Sequence, residues 1–285
     1  MTSIDDIAAP AAPSGSAAAN GARPHGIRRW VLTQALPPAA AAAAAIAIWW
    51  LTTAVLSESH SLLRQTAPQK VAPALADLFS RGVLTADIGI SLWRLLIGLL
   101  AAAVLGIPAG LLLGLSATID RAALPLVQFV RMISPLSWAP IAVAVFGIGN
   151  QPVIFLIIVA AVFPILLNTA AGVHAIEPGY LHVARSFHAT RVELLTAVVL
   201  PAVRGHVLTG LRTALGIAWV VLVPAEMLGV RSGLGYQILN ARDQLAYDQV
   251  VAVIVVIGIL GFAMDFTARR VLAPRRTDRA PRVNA

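Results

Sequence analysis

The chain has 285 residues, of which 58% are hydrophobic and only 12% are charged; its formal net charge is +8 and it has no cysteine. Soluble domains carry roughly 25% charged residues, so this composition excludes an ordinary soluble protein. The lack of cysteine excludes disulfides, thiol catalysis and cysteine-ligated zinc. No basic stripe with interleaved aromatic residues is present, so the positive charge does not indicate nucleic-acid binding.

Both ends of the sequence have the composition of tails. Residues 1–29 are rich in alanine, proline, glycine and serine, which is typical of a disordered segment. A cleaved signal peptide is the alternative, but the apolar run that begins near Trp30 exceeds the roughly 7–15 residues of a signal sequence. We therefore predict a disordered cytoplasmic tail over 1–29, a retained first span, and a basic cytoplasmic tail over 273–285.

A transmembrane domain is predicted over residues 30–272. A helix needs about 20 apolar residues to cross a bilayer, and lipid requires every backbone polar group to be paired internally. We therefore expect an all-α polytopic membrane protein with about six spans. These are Trp30–Leu56, Ile88–Leu115, Ala122–Gly147 (broken by Pro125, Pro135 and Pro140), Val153–Val173, Val207–Leu228 and Gln249–Val271.

Basic residues predict the orientation of the spans. If the N-terminus is cytoplasmic, thirteen arginines lie in segments on the cytoplasmic side and five basic residues lie in segments on the other side. Cytoplasmic loops of membrane proteins carry the excess of Lys and Arg. Both termini are therefore expected in the cytoplasm, together with the loop 175–204.

Small residues recur every four positions along the second span, at Gly98, Ala102, Gly106, Gly110 and Gly114. Helices in lipid associate through close packing rather than through a hydrophobic driving force. The stripe therefore predicts that another helix approaches the second span closely.

The sequence contains no ordinary nucleotide-binding loop. Such a loop needs a lysine after a glycine, in the pattern G-x-x-x-x-G-K-[ST], and the one lysine, Lys70, follows Gln69. Uphill transport by this chain would therefore use either a separate ATPase or an ion gradient; a channel is the remaining possibility.

The loop between the fourth and fifth spans contains a segment, Gly179–Pro201, that we name the elbow. It is too polar to cross the membrane and too long for a simple turn. Its pattern predicts a short amphipathic helix, a break near His188, and a second helix that ends at Leu200 and Pro201. A projecting elbow suits insertion into a groove on a partner protein; a helix lying in the membrane interface is the alternative.

The elbow resembles the EAA loop of binding-protein-dependent ABC importer permeases, a helix–break–helix that docks on the ATPase subunit. Ala184 matches the small residue of the first helix, and Ala189 matches the small residue after the turn glycine. His188 departs from that glycine, although histidine tolerates a positive φ better than most residues. By this resemblance the ATPase-coupling residues are Tyr180, Val183, Ala184, Arg185, Phe187, His188, Ala189, Leu200 and Pro201.

Four further strings resemble the nitrate/sulfonate/taurine/bicarbonate permease family, and the resemblance covers roughly residues 85–272. The strings are Ser134–Gly149, Phe163–Val173, Gly210–Leu228 and Gly233–Tyr236. The resemblance implies a type I importer permease in the bacterial inner membrane. It also implies a second permease copy, usually in a homodimer, together with cytoplasmic ATPases and an extracytoplasmic substrate-binding protein. A permease of this kind has no catalytic residues and no cofactor, since ATP and Mg bind the ATPase; its substrate would be a small anion.

Ionisable groups inside spans are functional candidates, because burying a charge in lipid is costly. Glu226 could face a pathway or clamp a loop, Arg94 is expected to snorkel or attract an anion, and Arg131 lies among the breaks of the third span. Aromatic and amide residues of the matching strings could line a passage or pack between helices. The pathway candidates are Arg131, Trp138, Asn168, Trp219 and Glu226.

Two other functional classes fit the sequence less well. A gradient-driven secondary transporter, the main alternative, would be expected to show inverted repeats and paired carboxylates within the membrane. A membrane-bound enzyme would need a catalytic cluster at membrane depth. Neither pattern is found, and the histidines around the loop match no metal motif.

Overall fold

The computed structural model describes residues 36–55 and 62–272, and every regular element in these ranges is a helix. Residues 1–35, 56–61 and 273–285, which include both predicted tails, lie outside the described residues. The helices are α1 Leu36–Trp50, α2 Pro68–Ser80, α3 Val83–Leu115, α4 Ala117–Arg131, α5 Ala139–Phe146, α6 Asn150–His174, α7 Pro178–Ser186, α8 Arg191–Gly229, α9 Leu234–Asp243 and α10 Tyr247–Val271.

The chain divides into two compact units, with the first ending at Thr52. The described part of the first unit is essentially α1, whose alanine run favours a helix. A π-helical stretch, Leu51–Val55, follows Trp50 in the sequence. The predicted first span is therefore helical where it is described, while its ends at Trp30 and Leu56 lie outside the described residues.

In the second unit, α3, α6, α8 and α10 are each long and apolar enough to cross a membrane. The predicted second, fourth and sixth spans agree with α3, α6 and α10 to within five residues at each end. The fifth predicted span lies within α8, which begins much earlier than expected. The described residues thus contain four or five candidate spans, besides the shorter apolar helix α1.

The third predicted span consists of two helical segments, α4 and Pro135–Phe146. The segment Pro135–Phe146 is bent by 84° from α4. Gly98 of α3 faces Ile157 of α6 and Gly114 faces Val173, so α3 and α6 run in the same direction. The chain between them must return across the full thickness of the bundle, which makes the bent pair a broken span rather than a re-entrant loop.

The break lies at residues 132–134, not at every proline of this span. Pro125 lies inside α4, because one proline removes a single helical hydrogen bond and can bend a helix without ending it. Pro135 opens a 3₁₀ turn that runs to Trp138, and Pro140 lies in the first turn of α5, where no backbone donor is needed. The expected break at Pro125 was therefore wrong.

The small-residue stripe of α3 lies against α6, as predicted. A Cβ placed on Gly98 would come within 2.5 Å of Ile157 Cγ2, and Ala102 is fully buried. On an adjacent face of α6, α8 packs antiparallel, with Gly210 beside Asn168. The core therefore consists of α3, α6 and α8, each of which contacts the other two.

The bundle has two distinct ends. At one end, His174 Nε2 lies 3.8 Å from Asp120 Oδ2, and the elbow follows directly from α6. At the other end, the Gly149 N–H donates to the Gly229 carbonyl at 3.0 Å, which joins the start of α6 to the end of α8. We name these the elbow end and the clamp end; α9 lies at the clamp end because it follows α8.

Candidate functional site

The first half of the elbow ends in a left-handed cap. His188 has φ +54°, and the Ala189 N–H donates to the Ala184 carbonyl at 3.1 Å. This is the closing hydrogen bond of a Schellman motif, which normally uses glycine at the left-handed position. His188 therefore takes a conformation that usually favours glycine, and Ala184 and Ala189 belong to the same cap.

The second half of the elbow begins with a capping box. The Thr190 N–H donates to Glu193 Oε2 at 2.7 Å, and the Glu193 N–H donates to Thr190 Oγ1 at 3.3 Å. The two residues thus satisfy each other's free backbone donors at the start of α8. The bend of the elbow is fixed by local hydrogen bonds on both sides.

The second elbow helix does not end at Leu200 and Pro201, contrary to expectation. α8 runs through both residues to Gly229. A π-helical stretch, Leu194–Val199, precedes them, and the Leu200 N–H donates to the Leu195 carbonyl. Pro201 follows directly, and the changed hydrogen-bond pattern accommodates its missing N–H without ending the helix.

The elbow exposes large apolar side chains. Phe187 is 82% exposed, Val192 70%, Tyr180 65% and Val183 58%. Of the remaining predicted coupling residues, Ala184 and Ala189 are half-buried, and His188, Leu200 and Pro201 are exposed. The side chain of Arg185 lies outside the described residues. The first half of the elbow therefore presents an apolar surface that nothing in the described chain covers.

A buried ion pair lies at the clamp end. Arg94 of α3 and Glu226 of α8 are 1% and 0% exposed, and Arg94 NH1 lies 2.7 Å from Glu226 Oε1. Ser91 donates to both Glu226 oxygens at 2.8 and 2.9 Å, and the Gly235 N–H donates to Oε2 at 2.9 Å. Glu226 is therefore held by two other elements, α3 and the first turn of α9.

The other donors of Arg94 are also engaged. Nε donates to Asn150 Oδ1 at 2.9 Å, NH1 to the Ser232 carbonyl at 2.8 Å, and NH2 to Ser232 Oγ at 2.7 Å. The expectation that Arg94 snorkels was wrong, because these partners satisfy the guanidinium inside the protein.

The same cluster caps the start of α9. Three successive backbone N–H groups donate to it: Gly233 to Asp87 Oδ1 at 2.7 Å, Leu234 to Ser91 Oγ at 3.0 Å, and Gly235 to Glu226. A helix start favours negative charge. We name this cluster the clamp; its side chains are Asp87, Ser91, Arg94, Asn150, Glu226 and Ser232.

Three members of the clamp, Asp87, Ser91 and Ser232, were not among the predicted site residues. A signal existed for the first two, since Asp87, Ser91 and Arg94 follow one another at helical spacings of four and three within an apolar helix. Polar residues that share one face of a membrane helix indicate a buried network. Their partner could not be predicted, because Glu226 is 132 residues away from Arg94.

A cavity of about 360 Å³ lies beside the break in the third span. Its four residues from α6 fall near the middle of that 25-residue helix, which places the cavity at mid-depth. Arg131 is the one charged residue that lines it. The lining residues are Arg131, Ile133, Pro135, Val159, Ala160, Phe163, Pro164, Thr213 and Ile217.

The other pathway candidates lie apart from this cavity. Trp138 packs against the core, and its Nε1 is buried without a hydrogen-bond partner in the described part of the chain. Asn168 donates to the Pro164 carbonyl at 2.8 Å and packs on α8. Trp219 contacts α10 at Gly261, and it lines a separate apolar groove. The structure therefore does not bring the five candidates together.

Solved structures resemble the fold described above. A structure described as inward-facing conformations of the MetNI methionine ABC transporter matches with a TM-score of 0.57 and 22% identity, covering 70% of this chain and 97% of that chain. At this level of identity the likeness concerns the fold alone, which is that of a type I importer permease.

Curated relatives give closer sequence matches. The taurine transport system permease protein TauC of Escherichia coli is 35% identical over 71% of this chain and 75% of the relative. The nitrate import permease protein NrtB of Leptolyngbya laminosa is 36% identical (65% and 68%), and the bicarbonate transport system permease protein CmpB of Synechococcus elongatus is 40% identical (61% and 63%). The matches thus span about two thirds of each relative.

The profile of one protein family, described as binding-protein-dependent transport system inner membrane component, matches residues 103–277. This range includes the elbow, the broken span, the cavity and the Glu226 side of the clamp. The chain therefore belongs to the family of binding-protein-dependent transport system inner membrane components.

Proposed function

We propose that this membrane-spanning permease subunit imports a small anion, with energy from ATP hydrolysed on a separate subunit. The relatives are named for nitrate, taurine and bicarbonate, each of which carries a negatively charged oxygen-containing group. The observation that carries the proposal is the elbow, a rigid helix–bend–helix whose apolar side chains are exposed. No catalytic residue or cofactor is assigned to this chain; ATP and Mg would bind the ATPase.

The elbow is the docking site for that ATPase. Phe187, Val183 and Tyr180 would enter a groove on the ATPase surface, since each is more than half exposed and apolar. The caps around His188 and Thr190 keep the bend stiff, and α8 continues from it without interruption into the bundle. A movement of the ATPase would therefore reach the mid-depth region through one continuous helix.

The elbow end faces the cytoplasm of a bacterial cell, and the clamp end faces outward. Arg121, Arg191, Arg204, Arg269 and Arg270 lie toward the elbow end, and cytoplasmic surfaces carry the excess of basic residues. Both termini would then be cytoplasmic and the protein would span the inner membrane. The substrate-binding protein would dock at the clamp end, around α9.

A second permease copy would cover α4. This helix has no buried residue, and Leu126 and Phe129 are 66% and 69% exposed. A span that the described part of its own chain leaves largely exposed suits an interface with another copy, which favours a homodimer. The pathway would then run between the two copies.

Uptake by reconstituted proteoliposomes tests the proposal. Vesicles that contain this chain, the ATPase and the binding protein should accumulate radiolabelled nitrate, taurine or bicarbonate only with internal ATP and Mg. Uptake by this chain alone, driven by a proton or sodium gradient, would instead establish the alternative, an ion-gradient-driven secondary transporter.

The elbow is tested in the same system. Phe187→Ser should reduce co-purification of the ATPase, because it removes the most exposed apolar side chain of the elbow. Val271→Ser is the matched control: Val271 is 73% exposed at the end of α10 and lies outside the elbow. Equal ATPase recovery with both variants would refute the docking site.

A further inference from the structure

Two arginines within the span-forming helices have opposite surroundings. Every donor-bearing nitrogen of Arg94 has a partner in the clamp. Arg131, in contrast, forms no hydrogen bond or ion pair within residues 36–55 and 62–272. A cation at membrane mid-depth is costly and is normally paired or faces a water-filled cavity. Arg131 is unpaired here, so its position calls for a functional explanation.

The geometry points to a binding site for a small oxyanion or sulfonate inside the permease, with the Arg131 guanidinium as its cationic group. The cavity of about 360 Å³ that Arg131 lines is within the range of small-molecule sites, which is roughly 300–1,000 Å³. A guanidinium offers paired donors in the plane that carboxylate, nitrate and sulfonate oxygens match. This inference rests on the proposed import function and assigns anion selectivity to the permease itself.

The rest of the lining supports an anion over a cation. No carboxylate lines the cavity, and apart from Arg131 its side chains are apolar except for Thr213. The Thr213 hydroxyl donates to the Thr209 carbonyl at 3.0 Å. With one guanidinium and no carboxylate in its lining, the cavity should attract anions and repel cations.

The break in the third span places the Arg131 guanidinium beside the cavity. Arg131 is the last residue of α4, and the chain then turns by 84° into the segment that begins at Pro135. If the third span were one continuous helix, the chain would not turn at Arg131, and no break would lie beside the cavity. Within the described residues α4 has no buried side chain and Arg131 itself is exposed, so the guanidinium is accessible to a ligand.

Charge-selective labelling of a single introduced cysteine tests the site. The chain has no cysteine of its own, so Thr213→Cys places one thiol in the cavity while Arg131 remains. The permease–ATPase complex in lipid nanodiscs would be treated with two methanethiosulfonate reagents, one carrying a sulfonate and one a trimethylammonium group. Intact mass of this chain gives the two labelling rates.

The expected result is that the anionic reagent reacts at least about tenfold faster than the cationic one, after correction for their rates with a free thiol. Arg131→Gln in the same background should abolish this preference, and Arg131→Lys should retain most of it. Arg121→Gln is the matched control, since Arg121 is an exposed arginine on the same helix, already bonded to the Ala117 carbonyl. Sodium nitrate at constant ionic strength should slow anionic labelling only when Arg131 is present.

Equal rates for the two reagents, or no labelling by either, would overturn the site. If Thr213→Cys fails to assemble with the ATPase, Ile133→Cys, which also lines the cavity, provides the same measurement. Labelling does not depend on ATP. A charge preference without ATP-driven uptake would therefore refute the importer and keep the anion site, while uptake without the preference would refute the site alone.

Discussion

Arg94 and Glu226 form an ion pair that is fully buried, although 132 residues separate them along the chain. Their side chains meet because α3 and α8 both pack on α6, and the pair receives further hydrogen bonds from Ser91 and the Gly235 backbone. Two charges inside a membrane bundle are tolerated only with such complete pairing. The pair joins the clamp end of the bundle to the start of α9.

Glu226→Gln should destabilise the folded protein by about 3–5 kcal/mol, because it leaves the buried Arg94 charge uncompensated. Denaturation in mixed micelles, followed by circular dichroism, measures the change. Asp243→Asn is the control, since Asp243 is exposed and pairs with its neighbour Arg242. Combining Glu226→Gln with Arg94→Gln should destabilise by less than the sum of the two single changes; additive losses would show that the two residues act independently.

Gly98→Ala and Gly89→Ala separate close packing from helix propensity on the same helix. A Cβ at Gly98 would lie 2.7 Å from Ile157 Cβ, whereas nothing lies within 4 Å of a Cβ at Gly89. We expect Gly98→Ala to destabilise by about 1–3 kcal/mol through overpacking. Gly89→Ala should be neutral or stabilise by up to about 1 kcal/mol. The same denaturation assay measures both, and equal effects would contradict the α3–α6 contact.

His188→Gly should preserve the elbow and stabilise it slightly, because glycine takes φ +54° without the strain that a Cβ brings. His188→Val should loosen the same bend, since a β-branched residue is strongly disfavoured at positive φ. Hydrogen exchange of the Ala189 amide, which donates to Ala184, reports the cap directly. Faster exchange in the glycine variant would show that the histidine side chain itself holds the turn.

Ala184→Glu or Ala189→Glu should uncouple ATP hydrolysis from uptake without preventing membrane insertion. Both alanines are half-buried against the turn, so a long charged side chain would have to displace the cap or project into the proposed docking surface. Uptake and ATPase activity would be measured side by side in proteoliposomes. Full uptake together with normal ATPase co-purification would contradict the docking role of the elbow.

Local chemistry made much of this protein predictable from sequence. Long apolar runs predicted α3, α6 and α10 to within a few residues. In lipid the backbone polar groups of such a segment must pair within the segment, and a helix provides this pairing. The stripe of small residues on α3 predicted a closely packed neighbouring helix, and the pattern of the elbow predicted a bend near His188. Each of these features depends on residues within about one or two helical turns of each other.

Only the tertiary structure decided which elements meet. The parallel course of α3 and α6 turned one predicted span into a broken pair with Arg131 at mid-depth, and it brought Glu226 to Arg94 instead of into an open passage. Because a π-helical stretch precedes Pro201, α8 continues past the residue at which a helix end was predicted. The sequence by itself determined that the chain is a helical membrane protein with an elbow, since those properties follow from local apolarity and capping. The partners of its buried charges depended on helix packing, which joins residues that are distant along the chain.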